Sequence, residues 1–201
     1  MFFPTVCPMC GAVGPAPCPG CIALLRPPPA LPDPAGLVAC RALLAYQGPA
    51  RDLVARLKYR NARSVVPWLA AGMAALCAED PVDLVTWAPT TPERARDRGF
   101  DQAELLARRV ARCLHRPAAA VLHREPGHHQ TGLPLVDRQA GPRFRPRPAA
   151  ARRVAGRRVL LVDDVVTSGA TVSRAAQILS AAGAASVTAL AAARTAPPGR
   201  V

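Results

Sequence analysis

The chain is 201 residues long and half hydrophobic, enough for one α/β domain with a small appendage and too apolar for a disordered protein. Its longest apolar stretch, Val65 to Ala78, is interrupted by Pro67 and falls short of the roughly 20 residues needed to cross a bilayer; the N-terminus shows no signal-peptide pattern, so a cytoplasmic location is expected. The formal charge of +13 points to a polyanionic partner or phosphate-rich ligand, or else reflects an Ala-, Pro- and Arg-rich composition, and two Trp, two Tyr and four Phe argue against an extended base-stacking surface.

Cys7, Cys10, Cys18 and Cys21 form two C-P-x-C knuckles separated by a short Gly- and Pro-rich turn. Each knuckle places two thiolates on one tight turn, so the four suit a closed, structural Zn²⁺ site; an iron–sulfur centre or redox thiols are the alternatives, and a disulfide suits a reducing compartment less well. Cys40, Cys77 and Cys113 stand singly in apolar surroundings and read as core residues. Residues 26–36, RPPPALPDPAG, read as a stiff linker, which puts a boundary near residue 35: a zinc ribbon and linker over 1–35, and a second domain over 36–201.

Val38 to Tyr46 is strand-like, Gly48 and Pro49 break it, and Leu53, Val54 and Leu57 share the face of a helix over Arg51 to Tyr59. Lys58 is the chain's single lysine, which hints at a specific need for an ammonium there, or marks an ordinary helix surface. Val65 to Ala78 reads as a helix with Pro67 in its first turn, and Asp83 to Ala88 as the next strand. The following loop, Pro89 to Gly99, carries Arg94, Arg96 and Arg98 at alternate positions, either a clamp for pyrophosphate oxygens or a solvated basic loop. Ala103, Leu106, Ala107, Val110 and Leu114 recur at helical spacing, a strand follows near residue 121, and the Pro-, Gly- and Arg-rich run from Leu122 to Arg147 reads as an active-site lid; His128 and His129 within it lack further ligands at metal-binding spacing.

Arg158 to Ala175, RVLLVDDVVTSGATVSRA, organises the rest. Val159 to Val162 is continuously apolar, as in a central parallel strand, and Asp163 and Asp164 stand together at its C-terminal end. A bare pair of carboxylates repels itself unless hydroxyls, water or a metal satisfy it. Thr167, Ser168, Gly169, Ala170 and Thr171 then form a small-residue loop at a helix start, where backbone amides can close on an anion. Carboxylates for a sugar and amides for a phosphate suit a phosphorylated ribose; the plainer reading is a strand, a turn and a helix capped by Thr167 or Ser168. A last helix face, Val172, Ala175, Ala176 and Leu179, ends at Gly183 before a strand over Val187 to Ala193.

The motif D-D-x-x-x-T-S-G-A-T resembles the phosphoribosyl pyrophosphate (PRPP) binding motif of type I phosphoribosyltransferases. With the double C-P-x-C, the Y-x-G at Tyr46 to Gly48, the L-K-Y ending at Tyr59 and the R-G-F-x-Q formed by Arg98, Gly99, Phe100 and Gln102, the chain resembles the ComF family, which joins a zinc ribbon to a phosphoribosyltransferase domain. Arg124, Gln130, Leu133, Arg138 and Phe144 fit that family's frame; Trp87, Ala88, Asp101 and Gly141 depart from it. The resemblance implies a doubly wound parallel sheet. It also implies that Asp163 and Asp164 hold the ribose hydroxyls, that Thr167 to Thr171 cradle the 5′-phosphate, that Lys58 and Arg98 contribute to PRPP binding, and that Mg²⁺ accompanies the pyrophosphate. The implied setting is natural competence and DNA uptake. The protein is then either a phosphoribosyltransferase or a PRPP sensor that binds single-stranded DNA without turnover; a zinc-ribbon adaptor for competence-machinery or other proteins is the third reading.

Overall fold

Continuous burial on both faces drives the strand at the heart of the molecule. In the computed structural model, which describes residues 5–125 and 142–196, Arg158–Val166 is a strand in which Val159 to Val162 are almost wholly buried. The described elements run α1 (Pro19–Ile22), β1 (Ala39–Ala45), α2 (Gly48–Tyr59), a single 3₁₀ turn (Arg63–Val65), α3 (Val66–Ala75), β2 (Leu84–Trp87), α4 (Pro92–Arg98) and α5 (Gln102–Cys113). They continue with β3 (Leu122–Arg124), β4 (Phe144–Pro146), α6 (Ala150–Val154), β5 (Arg158–Val166), α7 (Ala170–Ala181) and β6 (Ser186–Arg194).

Four strands form one parallel sheet in the order β1-β6-β5-β2, with Asp163 opposite Ala191 and Val166 opposite Arg194 in the register of the central pair. Helices cover both faces, so the sheet is doubly wound. On one side Leu53 and Leu57 of α2, Leu69 and Met73 of α3 and Leu106 of α5 pack against Leu160 and Val162. On the other, Val172, Ala176 and Leu179 of α7 pack against Leu161 and Ala189. Asp83 fixes the start of the β2–β5 pair by accepting bonds from the backbone and guanidinium of Arg158. Those bonds hold its carboxyl well below the usual carboxylate range. No helix among the described residues is long and apolar enough to cross a membrane.

Several expectations need correction. Gly48 and Pro49 do not lie between strand and helix; they open α2, where proline's missing N–H costs no intrahelical bond. The expected loop from Pro89 to Gly99 contains α4, capped by the Thr91 hydroxyl on the Arg94 N–H and closed by Gly99 in the left-handed conformation. The strand expected near residue 121 does not become a fifth member of the sheet. Pro117 accepts from the Val85 N–H but has none of its own to offer, and the segment makes one bridge to β2, Val85 to Ala118. The chain then diverges as β3, which pairs antiparallel with β4. The run read as a lid, Leu122 to Arg147, begins and ends in this ladder. His128, His129, Gln130, Leu133, Arg138 and Gly141 lie outside the described residues.

Leu161 is fully buried in the α7-side core. Leu161→Ala is expected to lower unfolding stability by about 2–5 kcal/mol, read as a lower urea midpoint with an unchanged slope.

Candidate sugar-phosphate site and metal centre

The carboxylates at the head of β5 diverge, because successive strand side chains point to opposite faces. Asp163 lines a small cavity with Val166, Thr167, Gly169, Ala170 and Thr171 at the start of α7. Asp164 turns toward α2, where Lys58 Nζ lies 3.0 Å from its Oδ1, both side chains largely buried. The Asp164 backbone N–H donates to Asp163 Oδ1 at 2.7 Å. Burial pushes the Asp163 carboxyl well above its ordinary value, and the Asp164 charge pushes it further; the Asp164 N–H and the Lys58 ammonium oppose both.

The turn before α7 has no ordinary side-chain cap. Gly169 (φ 80°, ψ −5°) occupies the N-cap of α7 and no side chain caps the helix. Ser168 Oγ makes only a long 3.4 Å contact as acceptor from the Ala170 N–H. The first amides of a 12-residue helix thus stand at the rim of the cavity that Asp163 lines, where the helix dipole favours an anion.

The arginines of residues 89–99 lie on α4, which meets α2 at Tyr59 rather than the loop before α7. On α4, Arg94 and Arg98 share one face at i,i+4 while Arg96 pairs with Glu93 at 3.8 Å; helical spacing therefore separates the three arginines that an extended loop would have aligned. Arg98 donates to Gln102 Oε1 at 2.8 Å and lies over the Tyr59 ring at 5.0 Å, next in sequence to Lys58. No bond joins Arg98 to Thr167–Thr171 among the described residues. Asp101 caps α5 by accepting from the Ala103 and Glu104 amides, and it also accepts from the Thr90 amide. An acceptor-only side chain meets all three bonds, so a carboxylate serves at this position. Arg124 stacks on Phe144 at 5.5 Å and has its pKa lowered, by burial first and then by Arg94, against the pull of Asp163 and Asp101. The Asp163 charge reaches it, and the sequence frame contained it without marking it as a site residue. Arg194, buried at the end of β6, escaped sequence reasoning because nothing in an alanine-rich strand marks it.

The sulfurs of Cys7, Cys10, Cys18 and Cys21 all lie within 4.8 Å of one another, compatible with the roughly 3.8 Å edges of a tetrahedron of Zn–S bonds. The Cys18 N–H donates to Cys7 Sγ at 3.4 Å, a bond that favours thiolate. Burial raises the Cys7 thiol, but backbone donors outweigh it and bring it to about 6; Cys21 is pushed up to about 12 by burial and its three sulfur neighbours. Four converging thiols with no carboxylate or imidazole among them can hold a metal such as zinc and offer no open position for catalysis. The N-terminal cysteine segment packs on the sheet: Leu25 is part of the α2-side core, Met9 packs against it, and the Ala45 N–H donates to the Arg26 carbonyl.

The phosphoribosyl transferase domain family matches residues 98–198. The chain is similar in structure to an allosteric regulatory enzyme of purine biosynthesis, at 22% identity and TM-score 0.46 over 65% of this chain and 26% of that one. It is also similar to the glutamine PRPP amidotransferase of B. subtilis, at 22% identity and TM-score 0.44 over 64% of this chain and 26% of that one. A purine phosphoribosyltransferase from Pyrococcus horikoshii aligns at 16% identity and TM-score 0.41, over 64% of this chain and 72% of that one. The chain spans about a quarter of the first two, 26% in each case. No curated protein matches it.

Because the folded state binds the Asp163 proton more tightly than the unfolded chain does, the stability it lends is fully present below the ordinary carboxylate pKa and is lost as pH rises through the raised value. Asp163→Asn should therefore be the more stable protein at neutral pH, with the gap closing on acidification. Parallel pH-resolved melting curves for the two proteins check this.

Proposed function

The chain belongs to the phosphoribosyl transferase domain family, and from that membership we propose that the cavity at the head of β5 binds PRPP with Mg²⁺ for phosphoribosyl transfer. The observation that carries the reading is the joining of Asp163 to an uncapped helix start through Thr167–Thr171. The amides there take the 5′-phosphate, and Asp163 and Asp164 accept from the ribose hydroxyls. Lys58, already against Asp164, and Arg98, one residue beyond it across the Tyr59 ring, supply positive charge on the side where pyrophosphate leaves. Mg²⁺, when bound, would neutralise the pyrophosphate oxygens. Departure of pyrophosphate leaves a cationic ribose carbon for an acceptor to attack, so the protein supplies orientation and charge rather than a nucleophile.

The finer assignment is a ComF-like protein of natural competence, with residues 1–35 as a structural zinc ribbon beside a transferase-like domain over 36–201. It is supported by the four converging cysteines and by the R-G-F-x-Q segment lying against Tyr59. Ligand at about 100 times its dissociation constant stabilises by about 2.7 kcal/mol, or roughly 5–10 °C in a chain of this size. Mg²⁺ with PRPP should raise the melting temperature by that much over Mg²⁺ alone, and the double variant Asp163→Asn, Asp164→Asn should fold and show no rise. An undiminished rise in the variant removes the carboxylates from the site.

A second reading rests on charge. Arg143, Arg145, Arg147, Arg152, Arg153 and Arg157 are all exposed along β4, α6 and their flanks, a surface suited to the phosphates of single-stranded DNA in a PRPP-sensing protein without turnover. Affinity for an oligonucleotide should then fall steeply with salt, by about 0.7 in log K per log unit of salt for each phosphate neutralised. Fluorescence anisotropy at several ionic strengths measures the slope, and a flat line eliminates this reading.

A further inference from the structure

The stretch RPPPALPDPAG spans from ribbon to domain, yet it does not span freely. Asp33 Oδ1 accepts from the Cys40 N–H at 2.6 Å, and Arg194 donates from its two terminal nitrogens to the carbonyls of Pro32 and Cys40. Arg194 is only 8% exposed. Among the described residues its guanidinium has no carboxylate partner, so a buried charge is held by carbonyl dipoles alone. Such an arrangement is costly unless those bonds are made well, and it fixes the geometry of whatever it ties together. What it ties together is the linker and the inner edge of β1.

One residue further, the Pro34 ring lies against the phosphate loop. A Cβ added to Gly169 would come within 2.7 Å of Pro34 Cγ and 2.8 Å of its Cβ. The left-handed turn that opens the helix start toward the cavity is therefore backed by a rigid ring from another part of the chain. From the sheet side, the end of β6 closes the same loop: Arg194 is in register with Val166, and the Thr195 N–H donates to the Val166 carbonyl at 2.9 Å. The loop's own residues, Thr167 to Ala170, are small, and three of the four are exposed, so they provide little packing of their own.

We propose that Pro34 and Arg194 are positioning residues for the phosphate loop: the guanidinium fixes the linker, and the linker's proline ring holds Gly169 in the turn that presents the α7 amides to a phosphate monoester. The inference rests on the sugar-phosphate reading of the cavity. Neither residue touches the ligand, and each acts by keeping the loop in its competent state. If removing the brace leaves the loop competent about a tenth of the time, affinity falls about tenfold.

The test is calorimetric titration of the full-length wild type, Pro34→Ala and Arg194→Gln, in Mg²⁺, with PRPP, ribose 5-phosphate and inorganic pyrophosphate. The two ligands that carry a 5′-phosphate should each bind both variants about tenfold more weakly, while pyrophosphate affinity should not change. A purely structural role would move melting temperature without that ligand discrimination. Wild-type affinity for both 5′-phosphates in the variants overturns the proposal, as does equal weakening for all three ligands. Should Arg194→Gln fail to fold, Pro34→Ala, which leaves the buried charge in place, decides alone. A wild type that binds neither 5′-phosphate ligand overturns the sugar-phosphate reading itself, and the brace with it, a result distinct from tight wild-type binding that the variants share.

Discussion

Two carboxylates on consecutive residues at the end of a buried strand are the constraint to which the surrounding structure answers. Left alone they would be forced apart or protonated, since neither burial nor like charge can be escaped at that position. The pleat resolves part of the conflict by sending them to opposite faces. Lys58 resolves another part, reaching from the last turn of α2 to Asp164. Asp163 lacks such a contact; burial and the Asp164 charge hold its carboxyl well above the ordinary value, and it lines the cavity. Hydroxyl donors and a divalent cation are the groups that would satisfy both acids. Strain of this kind at the mouth of a cavity is characteristic of a functional site rather than of a stabilising feature.

How far the fold was legible in the sequence depends on how local each signal is. Val159 to Gly169 carries its strand, its acids and its turn in one contiguous run, so the motif could be read without knowledge of any other segment. Strands β1, β2 and β6 and helices α2, α3, α5 and α7 likewise announced themselves by apolar periodicity, with errors of a few residues at their ends. The short elements did not. α4 has no buried residue and depends on the Thr91 cap and the Gly99 terminator, which periodicity cannot detect. The strand expected near residue 121 arrives as β3, but its partner β4, three residues long and about twenty residues on, is too short for a single-strand pattern to mark, so their pairing was not legible.

The site was legible to the same extent. Lys58 stood out because it is the single lysine, and its contact with Asp164 gives that rarity a physical meaning. An ammonium is a compact point charge on a slim stem, and it fits a largely buried contact with one carboxylate oxygen where a guanidinium fork would need more room. The arginines are put to other uses. Arg63, Arg98, Arg108 and Arg124 each lie over an aromatic ring, and Arg194 bridges carbonyls, all roles for a planar, multiply donating group. These partners are distant in sequence, so neither composition nor motif could name them.

A loop that must offer bare amides to a phosphate cannot also carry the bulky side chains that would hold it in shape. Small residues give close approach and left-handed backbone at the cost of packing and of conformational entropy. The stabilisation has to come from outside the loop, and here two outside elements meet it, the end of β6 through Val166 and Thr195, and the proline-rich linker through Pro34. Proline is suited to that second task because its fixed φ leaves little freedom to lose on docking, and its ring makes a flat, rigid wall. On this view the linker's proline content does more than separate a cysteine ribbon from a sheet. It lets one short segment serve as the back wall of a binding loop whose front must stay open.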